Sequence, residues 1–319
     1  MSADLAGSTA FKQQSRLEEW QDFFREFYRQ LPAMVERHWL HRRLSMHRLE
    51  PWKLIGDEIV FSMPLTHHMQ ARQAIDVFRS AVSDYRKSVL RQKDARLDVK
   101  CAGWTAGFPV GNIIVEPLDG LGEDYVGPGM DIGFRLVKAS SPRRMLLSVE
   151  LAWLLTLPET KSAQPLFVGS GLDLKGVARG SSYPCIWLDN FHDHASLSRA
   201  DKLGLEEERL RGVKPNKCDV TALHSFCSDW LKHMGQPFVT PFIVNDPVIG
   251  KPPLGYDRWL SQVTEKDSQG TQRALQPASK TKPVRSTDIV NSLGETIQRS
   301  KAQQPTPKRS ERKTTQRRF

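Results

Sequence analysis

Trp20, Phe23, Phe24, Phe27, Tyr28 and Leu31 recur at steps of three and four residues, the spacing that lines one face of an α-helix. Two short apolar runs follow, Trp52–Ile55 and Glu58–Phe61, separated by Gly56-Asp57. A Gly-Asp pair between strand-like runs predicts a tight hairpin. A second long helix is expected over about 67–91, strands over Val99–Thr105 and Met145–Val149, and a further helix over Asp219–Met234. Strands interleaved with helices that cover one face predict an α/β chain, built as an α+β sandwich around a central sheet.

Composition divides the chain into three zones. Residues 1–160 carry the periodic helices and strands, and 161–265 are rich in Gly, Pro and aromatics. Residues 266–319 are Gln, Ser, Thr, Pro, Lys and Arg, a mixture unable to bury a core, so a disordered tail is expected, with a brief helix near Asp288–Gln298. The net charge of +10 belongs almost wholly to that tail. From Thr271 to Phe319 there are 12 Lys/Arg against 3 Asp/Glu, a net +9, which leaves +1 on the rest. The tail lacks interleaved aromatics for base stacking, so sequence-specific nucleic-acid binding is not expected, although non-specific binding stays open. No run is long and apolar enough to span a bilayer, and the N-terminus lacks a secretory pattern, which points to the cytoplasm. Cys101, Cys185, Cys218 and Cys227 form no CxxC pair and read as free thiols rather than a zinc site.

The candidate chemistry begins at Asp4-Leu5-Ala6-Gly7-Ser8-Thr9. A small turn at the end of a strand leaves backbone N–H groups of Gly7, Ser8 and Thr9 free to face a phosphate, and a carboxylate beside it can hold a divalent cation there. Many turns contain Asp and Gly, so this signal gains weight only with Asp57, a carboxylate fixed at a hairpin tip. Two such carboxylates on adjacent strands suit a two-metal site for phosphoryl chemistry; turn formation alone is the plainer reading of Asp57. Strand alternation places Glu58 on the side opposite Asp57, and it is expected to stay outside the site. Further on, Gly127-Pro128-Gly129 opens a helix on which Asp131 and Arg135 lie four apart and share a face. They suit either a surface ion pair or an arginine aimed at developing phosphate charge.

In this order and spacing, Asp4 to Thr9, Lys53 to Asp57 and Asp124 to Arg135 resemble the catalytic domain of class III adenylate and guanylate cyclases, over about residues 1–155. The resemblance implies metal-holding positions at Asp4, Leu5 and Asp57, base recognition by Lys53 and Asp124, and a transition-state arginine at Arg135. Asp131 stands where that family has a ribose-orienting asparagine, which adds a negative charge near the triphosphate. Segments Ala3–Lys12, Trp104–Pro109 and Val126–Arg135 further resemble the stand-alone pyrimidine cyclases of the bacterial anti-phage systems called Pycsar. That likeness implies a nucleoside triphosphate substrate, UTP or CTP, two Mn2+ or Mg2+ ions per site, a homodimer with sites shared between protomers, and a separate effector of the cyclic product. Lys53 and Asp124 can satisfy adenine, cytosine or uracil, so an adenylate cyclase and an inactive nucleotide sensor remain as alternatives.

Other features are expected to be bland. His67-His68 reads as solvated, and His192 and His194 as surface or structural residues. Only three residues precede Asp4, few for a central strand, so a start upstream of Met1 is expected.

Overall fold

The computed structural model describes residues 1–264, apart from 45–46, 91, 93–96, 117–121, 161–164, 191–201, 204–205, 207–209 and 211–215. The expected basic tail, the brief helix near Asp288 and the His192/His194 pair therefore lie outside the described residues.

The described chain is mixed α/β, with a mostly antiparallel sheet and flanking helices. Strand β1 (Ser2–Ala6) leads into the short α1 (Ser8–Gln14) and the long α2 (Leu17–His41). The hairpin β2 (Glu50–Ile55) and β3 (Glu58–Ser62) follows, then α3 (Met69–Tyr85) and β4 (Asp98–Gly103). A small separate hairpin of β5 (Ile113–Val115) and β6 (Asp124–Val126) precedes α4 (Pro128–Ala139), β7 (Arg144–Leu147) and α5 (Val149–Leu155). Last come β8 (Leu166–Leu172), β9 (Tyr183–Asp189), β10 (Asn216–Lys217) and α6 (Val220–Met234). The eight-stranded sheet runs β10-β8-β9-β7-β4-β1-β3-β2, and only β4–β7 is parallel. Through β7–β9 pairing the sheet continues across residue 160.

Alternation fixes which face is wet. Ala3 and Leu5 of β1, Ile59 and Phe61 of β3, and Val99 and Cys101 of β4 all point into the core. The α2 stripe packs there too, with Phe23, Phe24, Phe27 and Leu31 buried, and continues through Val35 and Trp39. The predicted second helix is shorter than its hydrophobic pattern: α3 ends at Tyr85 and passes into a π-helical turn, Arg86–Leu90. Gly133 shows how tightly α4 meets the core, since a Cβ there would lie 2.2 Å from the Trp104 ring. None of the four cysteines is in a disulfide. Among the described residues, no helix is long and apolar enough to cross a membrane.

The segment after α6 returns to the sheet and is fastened by one carboxylate. Asp246 accepts hydrogen bonds from the backbone amides of His68, Val248 and Ile249 at 2.8–2.9 Å and lies 2.9 Å from His68 Nδ1. Burial alone would raise the Asp246 pKa, but these donors outweigh it and hold the carboxyl far below its usual range. His68, expected to be solvated, is instead 2% exposed, because this carboxylate compensates its ring. Asp246→Ala is expected to cost about 3 kcal/mol at neutral pH, as for loss of a buried carboxylate that accepts several hydrogen bonds and leaves its donors unpaired. Because the folded-state pKa is depressed, the difference from wild type should shrink as pH falls below about 4. Denaturant unfolding at pH 7 and pH 3 measures both effects.

Candidate active site

Strand β1 is paired on both sides, and its register sets the site. Asp4 lies opposite Glu58 on β3 and opposite Lys100 on β4. Residues directly opposed across a ladder share a face, so all three side chains leave the sheet together on the side away from the core. Lys100 Nζ sits 3.1 Å from Asp4 Oδ2. Ser2, two residues before Asp4 on the same face, donates to Glu58 Oε1 at 2.5 Å. Asp4 is thus a mid-strand residue rather than the strand's last one. Its five-residue strand pairs with both neighbours.

Asp57 reaches this cluster from the hairpin tip. Gly56 adopts φ +63, a conformation that favours glycine, and its carbonyl accepts a hydrogen bond from the Tyr28 hydroxyl of α2. Asp57 O accepts the Leu5 amide at 3.2 Å, and its Oδ2 accepts the Ser8 hydroxyl. Gly7, at φ +84, turns the chain from β1 into α1 and brings Ser8 to that position. Ser8 therefore orients a carboxylate, while Thr9 is exposed beside it. Leu5 buries its side chain in the core, so it could ligate a cation only through its backbone carbonyl.

The electrostatics follow from this crowding. Burial raises the Asp4 pKa; the hydrogen bond and charge of Lys100 pull it down and Asp57 pushes it up, leaving it raised. Glu58 is likewise raised, first by burial and then by Asp4 and Asp57, against the Ser2 hydrogen bond and Lys100. Three carboxylates facing one ammonium retain an excess of negative charge, and oxygen donors of this kind fit a hard divalent cation such as Mg2+ or Mn2+. Glu58 belongs to this cluster, contrary to its expected placement, because Asp57 lies in the turn and does not set the strand's alternation. Lys100 was not singled out beforehand. Its signal was a lysine at the wet position of an otherwise apolar strand, Val99-Lys100-Cys101-Ala102.

A second group lies on β2 and the small β5–β6 hairpin. Lys53 Nζ meets Asp124 Oδ2 at 2.5 Å, both side chains about two-fifths exposed. The hydrogen bond from Lys53 holds the Asp124 carboxyl below its ordinary value. The adjacent Trp52 and Tyr125 rings stack at 4.6 Å, and Trp52 Nε1 donates to Glu123 O at 2.9 Å. The same elements carry exposed apolar side chains, Leu54 at 56%, Ile113 at 53%, Ile114 at 52% and Val126 at 51%.

Arg135 stands on α4, whose entry is made at Gly127 (φ +149), where a Cβ would lie 2.5 Å from Gly111 O. Asn112 Oδ1 accepts the Gly129 amide at 3.0 Å and so caps that entry. Arg135 Nε donates to Lys175 O at 2.6 Å and Nη1 to Asp131 O at 3.0 Å, with the Asp131 carboxylate 3.7 Å away. Asp131 and Arg135 do share a helix face. Among the described residues no hydrogen bond or ion pair joins Arg135 to Asp4 or Asp57.

No family model matches the chain, and no curated protein matches it. Among solved structures it is similar to the guanylate cyclase domain of RhGC from Catenaria anguillulae in complex with GTP, at 12% identity, covering 59% of this chain and 92% of that one, with a TM-score of 0.43. It is also similar to the adenylyl cyclase CyaB from P. aeruginosa, at 16% identity over 61% and 94%, TM-score 0.40. The guanylyl cyclase Cya2 gives 17% identity over 62% and 93%, TM-score 0.41.

If the carboxylate cluster holds a divalent cation, Mn2+ should raise the melting temperature of the wild type and leave Asp57→Ala unmoved. The raised pKa values of Asp4 and Glu58 mean that cation binding expels protons, so apparent affinity should increase with pH. Lys100→Met removes a competing positive charge, and Mn2+ should bind it at least about tenfold tighter, since a divalent ion and a unit charge about 4 Å apart repel by roughly 2 kcal/mol even at the dielectric of water. Thermal melts read the first effect, and isothermal titration at two pH values reads the other two.

Proposed function

We propose that this chain is a nucleotide cyclase, closing a nucleoside triphosphate into a 3′,5′-cyclic monophosphate and releasing pyrophosphate. The observation that carries this reading is the convergence of Asp4, Asp57 and Glu58 on one sheet face beside Lys100. Divalent ions bound there, two Mg2+ or Mn2+ per site, would supply the Lewis acidity that makes a ribose 3′-hydroxyl nucleophilic near neutral pH.

The chain's own residues supply the rest. Asp4 and Asp57 hold the cationic end of the site, and Ser8 fixes the Asp57 carboxylate through its hydroxyl. Lys53 and Asp124 offer a donor and an acceptor to the edge of a base, which would exchange their mutual bond for two bonds to the nucleotide. Trp52 and Tyr125 hold that pair in place. Arg135 places positive charge where the α-phosphate becomes more negative as the 3′-oxygen attacks in line, the bond from α-phosphorus to the bridging oxygen breaks and pyrophosphate leaves. The 3′-hydroxyl proton passes to water.

The substrate we favour is UTP or CTP, and the product would act on a separate effector in anti-phage defence. This rests on the sequence resemblance alone. We further propose a homodimer in which one protomer contributes the carboxylates and its partner Arg135. The exposed apolar side chains on β2, β5 and β6 support it, as does the lack, among the described residues, of a hydrogen bond or ion pair between Arg135 and the carboxylates.

Purified protein incubated with ATP, GTP, CTP or UTP and Mn2+ should yield cyclic UMP or cyclic CMP by mass analysis. A product from ATP alone would overturn the pyrimidine reading, and no cyclic product from any of the four would overturn the enzyme. Arg135→Ala should lower kcat by about 10²–10³-fold. Mixing Arg135→Ala with Asp4→Asn, each inactive alone, should restore partial activity if the site is shared between protomers; no restoration would contradict the shared site.

A further inference from the structure

A cavity of about 950 Å3 opens where β3 and β4 end, walled by α3, α5, the start of α4 and the segment fastened by Asp246. Its lining is largely apolar, with Ile75, Trp104, Leu151, Leu154 and Phe242 among its walls. That volume lies within the range of small-molecule sites, and such sites pair an apolar body with a few placed polar groups. Here the placed group is Glu150 at the first turn of α5. The residue as a whole is half-buried, but its Oε2 is enclosed and accepts no hydrogen bond. Burial pushes its pKa up to about 7, against partial compensation from its own amide and Ser148. A carboxylate oxygen kept from water without a donor costs free energy, and a cationic donor is the group that best removes that cost.

We propose that this cavity is a binding site for a small apolar molecule bearing one primary ammonium group, whose N–H groups reach the Glu150 carboxylate where that side chain lines the cavity. The apolar walls take the body of the ligand and the lone carboxylate selects its head. Tyr125 and Trp52 contribute to the same wall, and each is next in sequence to a member of the Lys53–Asp124 pair. The binding claim stands independently of the cyclase reading.

The test uses the full chain and three probes of equal length, hexylamine, hexanol and hexanoate, followed by calorimetry. Wild type should bind hexylamine saturably at one site, at least about tenfold tighter than hexanol, with no binding of hexanoate. Glu150→Gln, which keeps the shape and removes the charge, should weaken hexylamine at least about tenfold while leaving hexanol unchanged. Ile114→Trp, which narrows the cavity from an exposed position on its wall, should weaken hexylamine and hexanol together. Equal affinity for amine and alcohol in the wild type would overturn the proposal, as would absence of saturable binding. Unchanged hexylamine affinity in Glu150→Gln would overturn it as well. The comparison of probes on wild type does not depend on any variant folding.

Discussion

Everything at the candidate site depends on β1 being paired on both sides. A strand with two antiparallel neighbours has each wet-face residue flanked by one side chain from each, so Asp4 cannot avoid Glu58 and Lys100. The hairpin tip then adds Asp57, held by the Leu5 amide and Ser8. Crowding three carboxylates on half-buried backbone is unfavourable by itself, as the raised Asp4 and Glu58 pKa values register. Lys100 offsets part of that repulsion and leaves a deficit that a divalent cation fits. The same side chains therefore explain both the local electrostatic tension and the chemistry it makes available.

Around this cluster the fold separates tasks. The core face of β1, β3 and β4 packs with α2 and α3, and the opposite face carries the polar cluster beside buried Val60 and Ala102. Tyr28 links the two sides, since it belongs to the helix stripe and its hydroxyl fastens the Gly56 carbonyl of the hairpin. The Lys53–Asp124 pair occupies a different patch, braced by the Trp52–Tyr125 stack, on elements that carry exposed apolar residues. Arg135 is held on a third element by the carbonyls of Asp131 and Lys175. The groups to which cation holding, base reading and charge stabilisation are assigned in the proposed function thus sit on separately anchored pieces.

Much of this was legible in the sequence, for identifiable reasons. The α2 stripe obeys a clean helical period, and Gly56-Asp57 between apolar runs announces its own turn. Gly127-Pro128-Gly129 likewise marks a helix start, and Asp131 and Arg135 share a face as their spacing requires. Register was not legible. Nothing in the residues around Lys100 says which strand β4 lies beside, so its pairing with Asp4 could not be read, and Glu58 was assigned by alternation counted from a turn residue. Buried polar partners separated widely in sequence were equally hidden: His68 resembles a surface histidine until Asp246, 178 residues later, is seen beside it. Glu150 gave no sign either, because a glutamate in the first turn of a helix is ordinary and only the surrounding cavity makes it unusual.

The central claim is that the carboxylate cluster is where a nucleoside triphosphate is cyclised. Its most direct test is the rate of cyclic nucleotide formation by Asp57→Asn against wild type at matched Mn2+, with circular dichroism confirming that the variant is folded. The account predicts a loss of at least about a hundredfold, the scale on which removal of a single transition-state contact is felt. A folded Asp57→Asn that forms cyclic product at the wild-type rate would contradict it.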